Sequence, residues 1–489
     1  MSLPSLDIEG CLQELPERAS IELLRAGDIP TPANATRIQH LLNVLCGTQI
    51  HPPADSAGPV DPSQSECVQN AGSLCRAALA PVRRLPRELL IAIFMLALPD
   101  AWDEADVRAT LNFAAVCFCW REVALAIPQF WANICMTLDS RAGPIANRLE
   151  RSAGRLRSVQ IASGGQVASG VHAGAPNAEA LRLVMSSASQ WPRLVLPNFD
   201  QTMGALDAHW PGCFPLLMVL DLNCGHEVAR AVRYFDNAPM LMMLNLHFLS
   251  INAPIEFPAS SRLMSLELDF VGDPAIHSGV RAHTIMRLVV RVAELGGYDQ
   301  NFDGLMCPHL SDLTLVHGAC YLSAYIVAPM LVKLAMKGQG LRAGPELYLR
   351  SAIILVTRPQ GVQYLRIFEI EGMNPQSPEW IVDCLSSMPS LSNLKIKDES
   401  RPDGTEVVVT LELLIMMTRT PDPSRLGFLP MLTGLELKCG GNAEVMCRDL
   451  VMILIITRRQ YVDANLAPLC YVETDLPLGA AWVNSPLPY

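Results

Sequence analysis

The stretch Pro308-His309-Leu310-Ser311-Asp312-Leu313-Thr314-Leu315 recurs in kind through the last two thirds of this chain. An apolar residue stands two places after the proline, and two more follow it three and five places later. Because the last two are two residues apart, they share one face of a strand. Each copy therefore predicts a short strand that buries two side chains, with the first leucine turning inward at its start. The clear copies begin at Leu217, Leu241, Leu310, Leu331, Leu391 and Leu432, and weaker copies at Leu156, Trp191, Leu263, Ile285, Val362 and Leu466.

Helix-like stretches separate many of these copies, including Glu346–Leu355, Trp380–Ser387 and Glu444–Ile456. One strand and one helix cannot bury their apolar sides alone, so neighbouring units must stack. We therefore expect an α/β fold in which residues 136–489 form an irregular solenoid that resembles leucine-rich repeats. A mixed α/β layer that is not a solenoid is the alternative.

In leucine-rich repeats, the residues that alternate with the buried leucines face solvent on the sheet, where such proteins bind their partners. At these positions the charge becomes mostly basic after residue 330, with Glu436 as the one acid. We hypothesise that this face binds an acidic or phosphorylated segment of a substrate protein. The alternative is that these residues only keep the sheet soluble. The candidate substrate-binding residues are Lys333, Lys337, Arg366, Lys395, Lys397 and Lys438.

The pattern between Ala80 and Ile134 is helical instead. Pro86 suits a first helical turn, apolar residues follow it at helical spacing, and Pro99 ends the helix. A second helix is predicted from Glu104 to Ala126. Two or three short helices of this kind carry a wide apolar stripe, which in most proteins is ordinary core.

These helices carry Leu85-Pro86 before an apolar helix, then Val116-Cys117-Phe118-Cys119-Trp120-Arg121, then Pro128 followed by Trp131. In that order the landmarks resemble an F-box, and the lengthened link Pro99–Asp106 is similar to that of fungal F-box-like families. The resemblance implies a small all-helical domain over residues 80–135 that docks a Skp-type adaptor. It assigns adaptor binding to Leu85, Pro86, Leu89, Leu90, Ile93, Phe94, Val116, Cys117, Trp120, Arg121, Pro128 and Trp131.

The function that this resemblance implies is that of a substrate-recruiting subunit of a Skp-cullin-F-box type ubiquitin ligase. The adaptor would link the chain to a cullin, and the repeats would hold a substrate protein. Ubiquitin transfer belongs to other subunits, so the chain would not be an enzyme. The alternative is a repeat scaffold that keeps an F-box-like helical pair for folding and recruits no ligase. The long acidic link between the helices is the feature that favours this alternative.

The remaining features predict a protein without a cofactor. No metal-binding spacing is found among the 15 cysteines and 10 histidines, and no phosphate-binding loop or nucleophile motif is present. A net charge of −11 argues against nucleic acid as a partner. No signal peptide and no membrane span are predicted, so we expect a cytoplasmic or nuclear location. Residues 1–79 are expected to be irregular, apart from one amphipathic helix over Asn34–Cys46.

Overall fold

The computed structural model describes residues 13, 21–26, 29–50, 62–98, 112–162, 177–224, 232–249, 262–270, 284–292, 305–338, 345–358, 362–373, 379–397, 409–419, 427–438, 444–460 and 466–475. The chain divides into two compact units. The first unit contains residues Met1–Met136 and Ser140–Val159, and the second contains Thr137–Asp139 and Gln160–Tyr489. The domain boundaries at 79/80 and 135/136 stay predictions.

Three helices open the described part of the first unit. Helices α1 (Ile21–Ala26), α2 (Pro32–Ile50) and α3 (Pro62–Leu79) come before the predicted F-box-like segment. The predicted apolar face of α2 is confirmed, since Ile38 and Leu41 are fully buried and pack with Cys75 of α3. Thr31 caps α2, because its hydroxyl oxygen accepts from the backbone N–H of Asn34. Helix α3 was not predicted, because the loop signals around Pro62 outweighed its weaker apolar pattern.

Further helical segments follow in this unit, beginning with a 3₁₀ turn over Pro81–Arg84. Helix α4 (Arg87–Leu96) begins directly after Pro86, as predicted, and residues 112–116 form a short helical segment. Cys117 then adopts an extended backbone and caps α5 (Phe118–Ala126), so the predicted continuous helix from Glu104 to Ala126 is wrong at this residue. A 3₁₀ turn (Pro128–Trp131) follows, and α6 (Ala142–Ser152) comes later in the chain. The link Pro99–Asp106 lies outside the described residues.

In the part of the chain that the structure describes, thirteen strands form one sheet. The order is β1-β2-β3-β4-β5-β6-β7-β9-β11-β12-β13-β14-β15, so the strands follow the chain, while β8 and β10 pair with each other separately. Every neighbouring pair from β3 onward is parallel. The strands are β1 Asn133–Thr137, β2 Ser158–Ala162, β3 Arg193–Leu196, β4 Val219–Asn223, β5 Met243–Leu249, β6 Ser265–Phe270, β7 Arg287–Val292, β8 Leu305–Met306, β9 Asp312–His317, β10 Ile326–Val327, β11 Lys333–Lys337, β12 Ile367–Glu371, β13 Asn393–Lys397, β14 Gly434–Lys438 and β15 Tyr471–Thr474.

The leucine pattern explains this register. Leu313 of β9 lies opposite Leu334 of β11, and the row continues through Phe368 and Leu394 to Leu435, all of them essentially inaccessible to solvent. Helices α7 (Ala178–Ser186), α8 (Phe199–Leu206), α9 (Pro345–Thr357), α10 (Glu379–Ser386), α11 (Leu411–Met417) and α12 (Glu444–Gln460) lie between strands. The expected α/β alternation of strand and helix is thus confirmed, including the three helices predicted at 346–355, 380–387 and 444–456.

Two copies of the pattern were predicted three residues too early. The copy expected from Val362 begins at Leu365, because Phe368 and Ile370 occupy the buried positions of β12. The copy expected from Leu466 begins at Leu469, which is fully buried ahead of Val472 in β15. For the copy near Val362, both the predicted and the observed register place apolar residues at all three positions. The spacing alone therefore could not decide between the two registers. The shift changes the charge of the sheet face. The predicted register turns Glu369 and Glu371 of β12 inward, whereas the observed register places them on the solvent face.

Two buried arginines join the last elements. Arg458 of α12 is fully buried and donates to the carbonyl oxygens of Met417, Leu429 and Phe428 at 2.7–2.8 Å. Arg419 donates to the carbonyl oxygens of Pro430, Ala467 and Arg458. Desolvation, followed by repulsion from Arg419, lowers the pKa of Arg458 to about 9. These side chains satisfy carbonyls at the end of α11 and in the turn before β14, where Leu429 has a positive φ of 47°.

Candidate interaction surfaces

The twelve residues predicted to bind an adaptor divide between the interior and the surface of the first unit. Leu90, Phe94, Cys117 and Trp131 are buried, and Leu85, Trp120 and Pro128 are partly buried. The exposed members are Pro86, Leu89, Ile93, Val116 and Arg121. The exposed members, and the accessible parts of the partly buried ones, can contact another protein while this unit stays folded.

Aromatic rings form the centre of this core. The ring of Phe94 lies 4.7 Å from that of Phe113, 4.8 Å from Trp120 and 5.9 Å from Phe130, measured between centroids. The indole N–H of Trp131 donates to the carbonyl of Ala124 at 3.0 Å, so this buried ring leaves no polar atom unsatisfied. Packing around this core holds α4 against α5. It therefore determines which side chains of these helices point toward solvent.

A row of large apolar side chains remains outside the core on α4. Leu89, Ile93 and Leu96 are 51%, 45% and 86% exposed and follow one another at i, i+4 and i+7, so they share one helix face. Val116 and Phe118 are also half exposed. Sequence reasoning missed Leu96 and Phe118 as surface residues, although the spacing of Leu96 from Leu89 was a usable signal. We call Leu89, Ile93, Leu96, Val116 and Phe118 the exposed apolar set.

The solvent face of the sheet carries paired charges in its first half. His247 of β5 lies between two aspartates, with its Nε2 3.3 Å from Asp221 Oδ1 and its Nδ1 3.7 Å from Asp269 Oδ2. The hydrogen bond to Asp221 is the main reason why the pKa of His247 is raised. Arg291 of β7 pairs with Glu267 of the neighbouring strand β6. Through these two contacts His247 links β4, β5 and β6.

The second half of this face is also paired, which changes the predicted charge balance. The register of β12 places Glu369 and Glu371 among the lysines, and the register of β15 adds Glu473. Every predicted substrate-binding lysine lies within 4 Å of one of these acids or of Glu436. The pairs are Lys333–Glu369 at 3.1 Å, Lys337–Glu371 at 2.9 Å, Lys395–Glu436 at 2.9 Å, Lys438–Glu436 at 3.2 Å, Lys438–Glu473 at 3.5 Å, and Lys397–Glu371. The expected count of six bases against one acid is wrong.

Glu371 is the centre of the best-connected group. Desolvation raises the pKa of its carboxyl, but hydrogen bonds from Lys397 and Lys337 outweigh this effect and hold the pKa below its ordinary value. Arg366, the sixth predicted base, precedes β12 and donates to the carbonyl of Ser390 at 3.1 Å. Together these contacts form a lattice of alternating charges across β11 to β15. Such a lattice offers much less net positive potential to an acidic segment than unpaired lysines would.

In the described ranges, no set of three or more histidine, cysteine, aspartate or glutamate side chains could hold a metal ion. Desolvation raises the pKa of the buried thiols of Cys224, Cys307 and Cys384 to about 12, which keeps them protonated and unreactive. None of the helices that the structure describes has the length and apolar character needed to cross a membrane.

Comparisons of the sequence with known proteins assign no family to this chain. No family model matches the chain, and no curated protein matches it.

Proposed function

We propose that this chain is a substrate-recruiting F-box subunit of a Skp-cullin-F-box type ubiquitin ligase. It binds a Skp-type adaptor through its helical unit, reaches a cullin through that adaptor, and holds a substrate protein on its strand–helix array. The chain itself performs no bond chemistry. It acts by raising the effective concentration of the substrate near the enzymes that transfer ubiquitin.

The observation that carries this proposal is the exposed apolar set. The helical unit has a core of its own around Phe94 and Trp131, so Leu89, Ile93 and Leu96 are not needed inside it. Large apolar side chains that stay outside a complete core, close together on one helix, are typical of a protein contact. A standard interface buries about 800 Å² on each partner and depends on a few such anchors. The order of the F-box-like residues suggests that the partner is a Skp-type adaptor.

For the second unit we propose a solenoid that resembles leucine-rich repeats. Sequential parallel strands, paired in a regular register from β9 to β14 around a buried leucine row, support this proposal. The substrate would contact the solvent face of the sheet. Because the lysines there are paired, we propose that Lys333, Lys337, Lys395, Lys397 and Lys438 act together with their glutamates, and that Arg366 acts beside them. A substrate segment with charges of both signs fits this lattice better than a purely acidic one.

The experiment is affinity capture of the full chain from cells, followed by quantitative mass spectrometry of the bound proteins. The natural chain is expected to bring down a Skp-type adaptor and a cullin in stoichiometric amounts. The variant L89E/I93E should lose both, because it places two charges in the proposed contact. Both residues are about half exposed, so the variant is expected to fold.

The matched control is I354E/I415E, which changes two similarly exposed apolar residues on α9 and α11. It should retain the adaptor and the cullin. Retention of both proteins by L89E/I93E would reject the proposed contact. Capture of other proteins without adaptor or cullin by the natural chain would favour the scaffold that recruits no ligase.

A further inference from the structure

Methionine recurs at one position of the strand array. Met218, Met242, Met264 and Met286 each stand immediately before a strand, from β4 to β7. They are 38–43% exposed, although the leucine before each of the first three, and the isoleucine before the fourth, is buried. We call these four residues the methionine row.

Backbone hydrogen bonds hold the row together. The N–H of Met242 donates to the carbonyl of Met218 at 2.9 Å. In the same way the N–H of Met264 donates to Met242, and that of Met286 to Met264, both at 2.8 Å. The four residues are therefore direct neighbours at the start of parallel strands, which are spaced about 4.8 Å apart.

This spacing lets neighbouring thioethers converge. A methionine sulfur is separated from its Cα by three single bonds, so its reach is comparable with the distance of about 4.8 Å between strands. The sulfurs of the two outer residues of any three adjacent members can therefore turn toward the central one. Met240, which is 38% exposed and two residues before Met242, adds a further thioether at the middle of the row.

The repeated choice of methionine points to sulfur chemistry. Bulk or apolarity alone would be met equally well by leucine, valine or isoleucine, which are abundant in this chain. In the next two strand entries, the residue at this position is Ser311 and then Val332. Thioethers differ from these side chains in being soft ligands, and soft ligands select soft monovalent ions such as Cu(I).

We propose that the methionine row is a binding site for a soft monovalent cation, Cu(I) or its analogue Ag(I), held by three adjacent thioethers. The site uses either Met218, Met242 and Met264 or Met242, Met264 and Met286. Both sets contain Met242 and Met264. The site is independent of adaptor binding, since none of its residues belongs to the helical unit.

The test is a calorimetric titration of the full chain with Ag(I) after its accessible thiols are blocked with N-ethylmaleimide. Blocking is necessary because exposed thiols such as Cys119 and Cys213 also bind soft cations. One ion per chain is expected. In a chain labelled with ¹³C at the methionine methyl groups, the signals of Met242 and Met264 should shift on saturation.

The variant M242L/M264L keeps the apolar surface and removes the two shared sulfurs. It should bind Ag(I) at least tenfold more weakly than the natural chain. The matched control M306L/M330L replaces two methionines that are each 48% exposed elsewhere in the array, and it should bind like the natural chain. The proposal is overturned if the blocked chain binds no Ag(I), if M242L/M264L binds it unchanged, or if the control loses as much affinity.

Discussion

Replacement of Arg458 by methionine tests the interior of the last strand–helix units. Methionine retains an unbranched apolar stem but has no donor for the carbonyls of Met417, Leu429 and Phe428. The carbonyl of Leu429 keeps the backbone N–H of Leu432 as a donor at 3.2 Å, so the loss falls on the carbonyls of Met417 and Phe428. Each buried acceptor left without a partner costs about 1–3 kcal/mol, or up to about 6 kcal/mol for two.

Relief of the buried charge offsets part of this loss. The pKa of Arg458 falls from 12.5 to about 9. At about 1.36 kcal/mol for each pKa unit, removal of the charge recovers at most about 5 kcal/mol. The expected net destabilisation of the R458M variant is therefore about 1 kcal/mol or somewhat more, confined to the elements that the guanidinium joins.

Hydrogen–deuterium exchange of the full chain measures this local loss. About 1.4 kcal/mol corresponds to a tenfold change in an opening equilibrium, so amides in 409–419 and 427–438 should exchange roughly five- to tenfold faster in R458M. Amides of β3 to β6 should be unchanged. The control R448M replaces an exposed arginine of the same helix and should leave all rates as they are. Equal exchange in R458M and the natural chain would mean that the guanidinium of Arg458 does not stabilise these elements.

Four further substitutions, in three comparisons, have defined outcomes in equilibrium urea unfolding. F94A should cost about 3–5 kcal/mol because it empties the aromatic core of the helical unit, whereas L89A should change stability by less than about 0.5 kcal/mol; equal effects would contradict the division into core and surface. His247 has a raised pKa, so its contribution is fully present below about pH 6.5 and is lost as the pH rises through the folded-state value. H247Q should therefore flatten the fall in stability across that range, and an unchanged slope would exclude the proposed link to Asp221. Glu371 has a lowered pKa, so its contribution is present above about pH 4.3 and is lost as the pH falls through the folded-state value. E371Q should weaken that acid dependence by up to about 1 kcal/mol, since its lysine partners are partly exposed, and a steeper acid dependence would contradict the pairing.

The strand array could be predicted because its signal repeats. A leucine with apolar residues three and five places later marks one buried face, and ten of the twelve predicted copies have the correct start in the structure. The two errors arose where an apolar residue also stands three places early, at Val362 and Leu466. Only pairing with β11 and β14 resolves these registers, and pairing is a long-range property.

The charge of the sheet face was less predictable for the same reason. Because side chains alternate along a strand, a shift of three residues exchanges the inward and outward sets of β12. Arg366 was then expected on the face in place of Glu369 and Glu371. The buried arginines were also missed, because no short-range pattern distinguishes Arg458 from its exposed neighbours on a helix that ends in two basic residues.

In the helical unit, the F-box-like residues could be recognised from the sequence. Which of them are buried and which are exposed could not be predicted from it. Leu89 and Leu90 are adjacent leucines, yet one is half exposed and the other is buried. Periodicity locates an apolar stripe, whereas the boundary between core and contact surface depends on how α4, the segment 112–116 and the 3₁₀ turn pack around Phe94.

The most direct test of the proposed function is an equilibrium titration of the purified full chain with a purified Skp-type adaptor. We expect saturable one-to-one binding with a micromolar or lower Kd, which L89E/I93E weakens at least tenfold and I354E/I415E leaves unchanged. Absence of binding by the natural chain, or equal binding by L89E/I93E, would reject the proposed adaptor contact.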